Sequence, residues 1–261
     1  MRKHTRMLPV SLRGILSALA VAVAAVWQIA APVPSWADEV ALGEADIFFE
    51  LNDTDGDLGI HCRLDGDPWR TMAIEDPRGR RMLQTTVTGR LARQGLTELF
   101  FESGEPTFDE LPPAVFFARF PEGEYEMEGT TLEGEELGGE DVLSHVMPAP
   151  AEPTVSGEDL PDGCDGPPTP VSEPIIIEWP LVEESHPTIG ESGEIEVELY
   201  QVIVEKTGQS PLAFTVDLPP DVMEVELPEA LTSAGDELKV EVLVKLDDGN
   251  STAVEGCVIV E

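Results

Sequence analysis

Basic residues are scarce in this chain: fifteen Lys and Arg stand against fifty-two Asp and Glu, a formal net charge of −37. Nucleic acid and anionic lipid surfaces need Lys and Arg to displace counterions, so neither is an expected partner. Cations, cationic surfaces and water are compatible. Plain solubility, or a salty medium that tolerates a repulsive acidic shell, accounts for the same charge. Aromatics are also few, at 6%, yet apolar residues reach 41%, enough to build a core and to argue against disorder throughout. Catalytic signatures are missing as well. His61, His145 and His186 are isolated in sequence; no His-Glu-x-x-His pair, Gly-x-Ser-x-Gly elbow or Cys-x-x-Cys spacing occurs. With fifty-two acids, carboxylate pairs arise by chance and say nothing about glycoside hydrolysis. No catalytic or cofactor-binding residue is assigned.

Long hydrophobic runs are confined to the beginning. Arg2, Lys3, Arg6 and Arg13 precede an apolar stretch from Gly14 to Trp27, and Ser35-Trp36-Ala37 supplies small residues for cleavage. That order is the pattern of a secretory signal peptide over residues 1–37, with an apolar run shorter than the ~20 residues of a membrane span. The mature chain would start at Asp38 and be exported, periplasmic or extracellular, with no membrane span. Cleavage leaves eleven basic residues against fifty-two acidic ones, a charge of −41. Eight of the eleven lie between Arg63 and Arg119, and none between Phe120 and Glu205. This asymmetry points to two domains with different surfaces, 38–147 and 148–261.

Three cysteines remain, Cys62, Cys164 and Cys257. An exported protein is normally oxidised, but three is odd. Cys164 and Cys257 flank the second half and are a candidate disulfide, with Cys62 a buried thiol; three unpaired thiols are the alternative.

Short apolar runs separated by turn residues predict strands at Ile47–Leu51, Leu58–Leu64, Trp69–Ile74, Met82–Thr88 and Leu96–Glu102, with turns at Asp65-Gly66, Pro77-Arg78-Gly79 and Gln94-Gly95. Thr107-Phe-Asp-Glu110 has the form of a capping box for one helix carrying Leu111, Val115, Phe116 and Phe120. Further strands are expected around Tyr125 and Met127 and over Glu136–Val146. A Pro/Gly/Asp-rich stretch from Met147 to Pro174 is a linker or an irregular first strand. Beyond it, strands are expected at Ile175–Trp179, Glu194–Glu205, Phe214–Leu218, Met223–Leu227, Leu238–Leu246 and Val254–Val260. Within Glu194–Glu205 the apolar phase switches from Ile195, Val197 and Leu199 to Tyr200, Val202 and Val204, which predicts a β-bulge.

Trp179-Pro180, the run Tyr200-Gln-Val202-Ile-Val204 and the corner from Leu231 to Val242 give the segment from about Pro153 onward its likeness. It resembles a fibronectin type III domain, within the wider immunoglobulin-like class of folds. The resemblance implies a seven-stranded, two-sheet sandwich serving as spacer, adhesion or ligand-presenting module. One departure is that Leu238 follows Gly235-Asp-Glu where the family usually has Tyr. No Arg-Gly-Asp tripeptide is present. The expected fold class is therefore all-β, two β-sandwich-like domains, the first with one short helix.

The sharpest constellation is Asn52-Asp53-Thr54-Asp55-Gly56-Asp57. Alternate carboxylates at Asp53, Asp55 and Asp57 can converge on one hard cation, so these residues are a candidate weak Ca2+ site; a hairpin turn accounts for the same residues. The EF-hand pattern is not met, since Leu58 and Leu64 fall where Gly and Glu are needed. Arg78, Arg80, Arg81, Arg90 and Arg93 form a basic island suited to an anionic glycan or to an interdomain contact. The functional expectation is an exported, non-enzymatic binding or cell-envelope interaction module, its ligand an unidentified protein or glycan. The alternative is an extracellular hydrolase with an accessory sandwich. A pocket gathering His61 or His145 with two carboxylates would favour the latter.

Overall fold

Period-two alternation becomes strand almost everywhere in the computed structural model, which describes residues 40–206 and 211–261. The leader assigned to residues 1–37 lies outside the described residues. The first half contains β1 (Val40–Ala41), β2 (Glu44–Asn52), β3 (Asp57–Glu75), β4 (Arg81–Thr86), β5 (Leu96–Glu102), α1 (Pro113–Phe117), β6 (Gly123–Thr131) and β7 (Glu136–Leu143). Ile47, Phe49 and Leu51 of β2 and Leu58, Ile60, Cys62 and Leu64 of β3 point into one core with Trp69, Met72, Ile74, Tyr125 and Met127. Each such side chain contributes roughly 1.5–3 kcal/mol on burial. The helix closes this core, with Phe117 edge-on to Phe49 at 5.0 Å.

Two local expectations are corrected. Asp65-Gly66 is not a turn but lies inside the 19-residue strand β3. Asp57–Asp65 pairs with β2, and Trp69–Glu75 pairs with β6. Turn chemistry is thus spent on a change of partner rather than a reversal, and Pro68, which has no N–H to give, falls in the gap between the two ladders. The Thr107 capping box also fails. Pro112 sits at φ −54°, ψ 139° and is the N-cap, with no side-chain cap bond. Residues preceding proline avoid the helical region, so Leu111 and Pro112 stay extended and the helix begins only at Pro113. Thr107 instead bridges to Asp57 and closes a separate turn with its carbonyl.

The second half contains β8 (Thr154–Val155), β9 (Glu158–Asp159), β10 (Thr169–Val171), β11 (Ile176–Glu178), β12 (Val197–Lys206), β13 (Leu212–Leu218), β14 (Glu224–Glu226), β15 (Glu237–Leu246) and β16 (Ser251–Val260). One sheet runs β14–β11–β8–β9, and β13–β12–β15–β16 form part of the other. These two four-strand layers face each other across a core of Trp179, Tyr200, Val202, Val204, Val240 and Val242, among others. This is a fibronectin type III-like sandwich. The Pro-rich entry is an irregular first strand: β8 pairs with β11 in one sheet, and β10 pairs with β16 in the other. The register against β15 shifts between Val197 and Leu199, at the place where the apolar phase changes. Where the family's corner Tyr is missing, Asp236 holds the corner by accepting from Ser233 N and Lys206 Nζ.

The two cores lie under one continuous sheet. Ser251–Ala253 of β16 pairs in parallel with Glu50–Asn52 of β2. Asn250, 1% exposed, accepts from Phe49 N at 2.8 Å and donates to the carbonyls of Ser144 and Val146, both at 3.0 Å. Thr252 donates to Pro148 O at 2.8 Å. Asn250 belongs to an Asn-Ser-Thr triplet, yet its buried amide is committed to these bonds.

Candidate functional site

The six-residue acidic constellation forms the tip of the β2–β3 hairpin. Asn52 Oδ1 accepts from the backbone N–H groups of Thr54 and Asp55, both at 3.1 Å, and Gly56 takes φ 65°. A left-handed residue is needed there, and glycine adopts it without strain. Asp53 turns toward the second half, where His186 Nε2 lies 3.1 Å from its Oδ1. The His186 ring is 6% exposed, and its Nδ1 accepts from Thr188 N and Ile189 N. Those two bonds place the proton on Nε2, which donates it to Asp53. Asp55 accepts a long bond from Asn52 Nδ2. The Asp57 carboxyl is pushed up by burial first, then by the charges of Asp55 and Glu255. Beside this tip is a cavity of about 380 Å³ lined by Asp53, Glu152, Asp159, Asp162 and Glu255.

A different set of donors converges more closely. On the outer face of the first-half sheet, Phe48 is paired with His61 and Glu50 with Gly59, while His61 is also paired with Glu102. Glu105 folds back over this face from the segment after β5. One donor atom from each of Glu50, His61 and Glu105 lies within 4.8 Å of the others. His61 is 4% exposed, its Nε2 has no hydrogen-bond partner, and Glu105 Oε1 stands 3.7 Å away. The ring stacks on Phe48 at 5.3 Å and meets Phe100 at 5.9 Å. Burial lowers the His61 pKa, favouring the neutral imidazole, against the opposing charge of Glu102. Glu50 is pushed up to about 7 by burial, then by Glu241, Glu105 and Glu102. Glu105 is pushed up to about 7 by burial, then by Glu102 and Asp57.

Glu122, His145 and Glu191 form a second such set, more exposed. Here the ring is already engaged, with Nε2 2.7 Å from Phe120 O. Asp53, Asp55 and Asp57 form no third set among the described residues.

The His61 grouping was hidden in sequence because its members are eleven and forty-four positions from His61. A signal for two of its three members existed. A tip closing Asn52 against Asp57 puts Glu50 and His61 diagonally adjacent on the face opposite the core. Glu105 follows from the path of a loop, which no periodicity encodes.

Cys164 and Cys257 form a disulfide, and Cys62 is buried and free. Gly256 makes room for the segment before Cys164: a Cβ there would lie 2.1 Å from Pro161 O. In the basic island, Arg80 pairs with Asp76 at 2.7 Å and Arg81 with Glu75 at 2.6 Å, so both are spent on the β3–β4 turn. A broad, open depression of about 690 Å³ lies over the β14–β11–β8–β9 sheet, lined by Trp179, Pro180, Asp221, Met223 and Glu224 among others. Among the described residues no helix is long and apolar enough to cross a membrane.

No protein-family model and no curated protein matches the chain. Among solved structures it is similar to the FN1–FN3 domains of chicken CNTN1, at 10% identity over 85% of this chain and 65% of that one, TM-score 0.33. It is similar to a two-domain fibronectin type III segment of chicken tenascin, at 11% identity over 84% and 98%, TM-score 0.27. A bacterial ice-binding adhesin is matched at 12% identity over 85% and 65%, TM-score 0.26. The chain thus spans just under two thirds of the first and third of these structures, and at such scores the fold reading rests on the strand order given above.

Proposed function

We propose that the protein is an exported, non-enzymatic β-sandwich module that binds a protein or glycan ligand at the cell envelope. The observation that carries binding is the open depression beside Trp179 and Pro180. It is wide and shallow, whereas small-molecule and substrate sites enclose most of their ligand. The Cys164–Cys257 cross-link supports export, because disulfides persist in oxidising compartments. The leader at 1–37 and the division at 147/148 belong to the same reading. A weak Ca2+ contact through Asp53, Asp55 and Asp57, in the ~0.1–1 mM range of extracellular modules, belongs to the same reading; of the three only Asp53 lines the acidic cavity at the hairpin tip.

The test is capture from native envelope fractions by the immobilised mature chain, compared with Met223→Asp, which places a charge in the depression. Loss of a captured ligand with this variant supports the reading; equal capture removes the depression from it. An N-terminus other than Asp38 on the exported protein would overturn the leader assignment. For calcium, Ca2+ should raise Tm and Asp55→Ala should remove the rise.

The hydrolase reading is favoured by one specific observation, the gathering of His61 and of His145 each with two carboxylates. Neither histidine lines the cavities of about 690, 400 and 380 Å³ formed by described residues. Turnover of envelope polymers that is lost in His61→Gln would establish it.

A further inference from the structure

We infer that Glu50, His61 and Glu105 bind one divalent transition-metal ion of the zinc type on the outer face of the β2–β3–β5 sheet. The first observation is the orphaned nitrogen. A buried imidazole nitrogen without a partner is normally eliminated in a folded protein, because it loses its hydration and gains nothing. Here the ring is held by Phe48 and Phe100, its Nε2 3.7 Å from Glu105 Oε1, with a donor atom of Glu50 within 4.8 Å of the set. The second is spacing. The 3.7 Å between His61 Nε2 and Glu105 Oε1 is too long for a good hydrogen bond. It is close to the separation of two ligand atoms that each lie ~2.0–2.2 Å from a shared tetrahedral ion.

The third observation is the room left for Glu105. A Cβ on Gly59 would stand 2.6 Å from Glu105 Oε1, so the absence of a side chain at 59 is what lets this carboxylate reach over the strand. Glu102 and Glu241 add negative charge around the set, which favours a cation there. An imidazole among the donors selects zinc-like ions over Ca2+ and Mg2+, which take oxygen ligands. Three protein ligands leave a fourth position for water or for a donor from a bound partner. This site is separate from the hairpin tip and from the depression beside Trp179, so its failure leaves the binding-module reading standing.

The test uses the untagged mature chain, stripped with a chelator and titrated with Co2+ and Zn2+. We expect one Zn2+ per chain in competition with a chromogenic chelator, a tetrahedral Co2+ visible band that Zn2+ erases, and no displacement by millimolar Ca2+. Glu105→Gln should weaken Zn2+ binding by about tenfold or more. Gly59→Ala, which pushes the flexible end of Glu105 aside, should do the same while leaving the Tm of the metal-free protein unchanged or higher. His61→Gln should abolish the Co2+ band; if that variant does not fold, the other two decide. The proposal is overturned by no Zn2+ binding, by unchanged affinity in both Glu105→Gln and Gly59→Ala, or by a loss confined to His145→Gln, which would put the ion at Glu122, His145 and Glu191.

Discussion

Single side chains replace backbone pairing at the places where this fold is most exposed to failure. Asn250 answers one amide and two carbonyls from two separate segments. Truncating it leaves those groups buried and unpaired, at roughly 1–3 kcal/mol for such a group. Asn250→Ala should therefore lower stability by about 3 kcal/mol in urea unfolding. Asp76 plays a similar part in the turn between β3 and β4. Burial pushes its carboxyl up, but bonds from Arg80 and Arg78, together with the Arg80 charge, outweigh that and hold it below the usual range. A depressed carboxylate contributes stability above its unfolded value, ~3.9, and loses it as pH falls through the folded one. Asp76→Ala should cost about 1–3 kcal/mol at neutral pH, and the gap from the parent should narrow as pH falls from the unfolded value, ~3.9, through the depressed folded one.

At the level of elements, alternation made most strands legible, and even the bulge in β12 followed from a phase change in Ile195–Val204. The hairpin tip was legible too, because Asp-Gly chemistry and a strand on either side admit few other conformations. The long strand β3 was not. Asp65-Gly66-Asp67-Pro68 has the composition of a reversal, and only its neighbours β2, β5 and β6 reveal that it bends instead. The α1 start was misread for a local reason, the exclusion of Leu111 and Pro112 from helical backbone. Of the Glu50–His61–Glu105 set, strand register carried two members and loop packing the third. The disulfide spans 93 residues. In the chain-entropy model, closing such a loop is worth about 4–5 kcal/mol, so the Cys164→Ala, Cys257→Ala double variant should lose stability of that order, measured by urea unfolding.

Across the whole molecule, acidity opposes compactness. Glu241 is pushed up by burial and then by Glu255, Asp248 by burial and then by Asp247, and Asp46 by burial and then by Glu44. A carboxyl whose folded pKa is raised binds more protons folded than unfolded, so stability grows as pH falls from the raised value toward the unfolded one, ~4. Tm should therefore be higher near pH ~5 than near pH ~8, and added salt should narrow the difference by screening. A Tm that falls as pH is lowered from ~8 to ~5 would refute this. Because β2 and β16 share a ladder, both cores should melt in one transition by near- and far-ultraviolet dichroism, and Asn250→Ala should be the change most able to split it.

The same ladder also sets an order of events. Glu50 waits for Ser251, about two hundred residues later, so one edge of β2 stays open until β16 has emerged. Contacts of such long sequence separation are slow to form, and an open strand edge invites pairing with another chain. A chain released before residue 251 would present a ready template for aggregation.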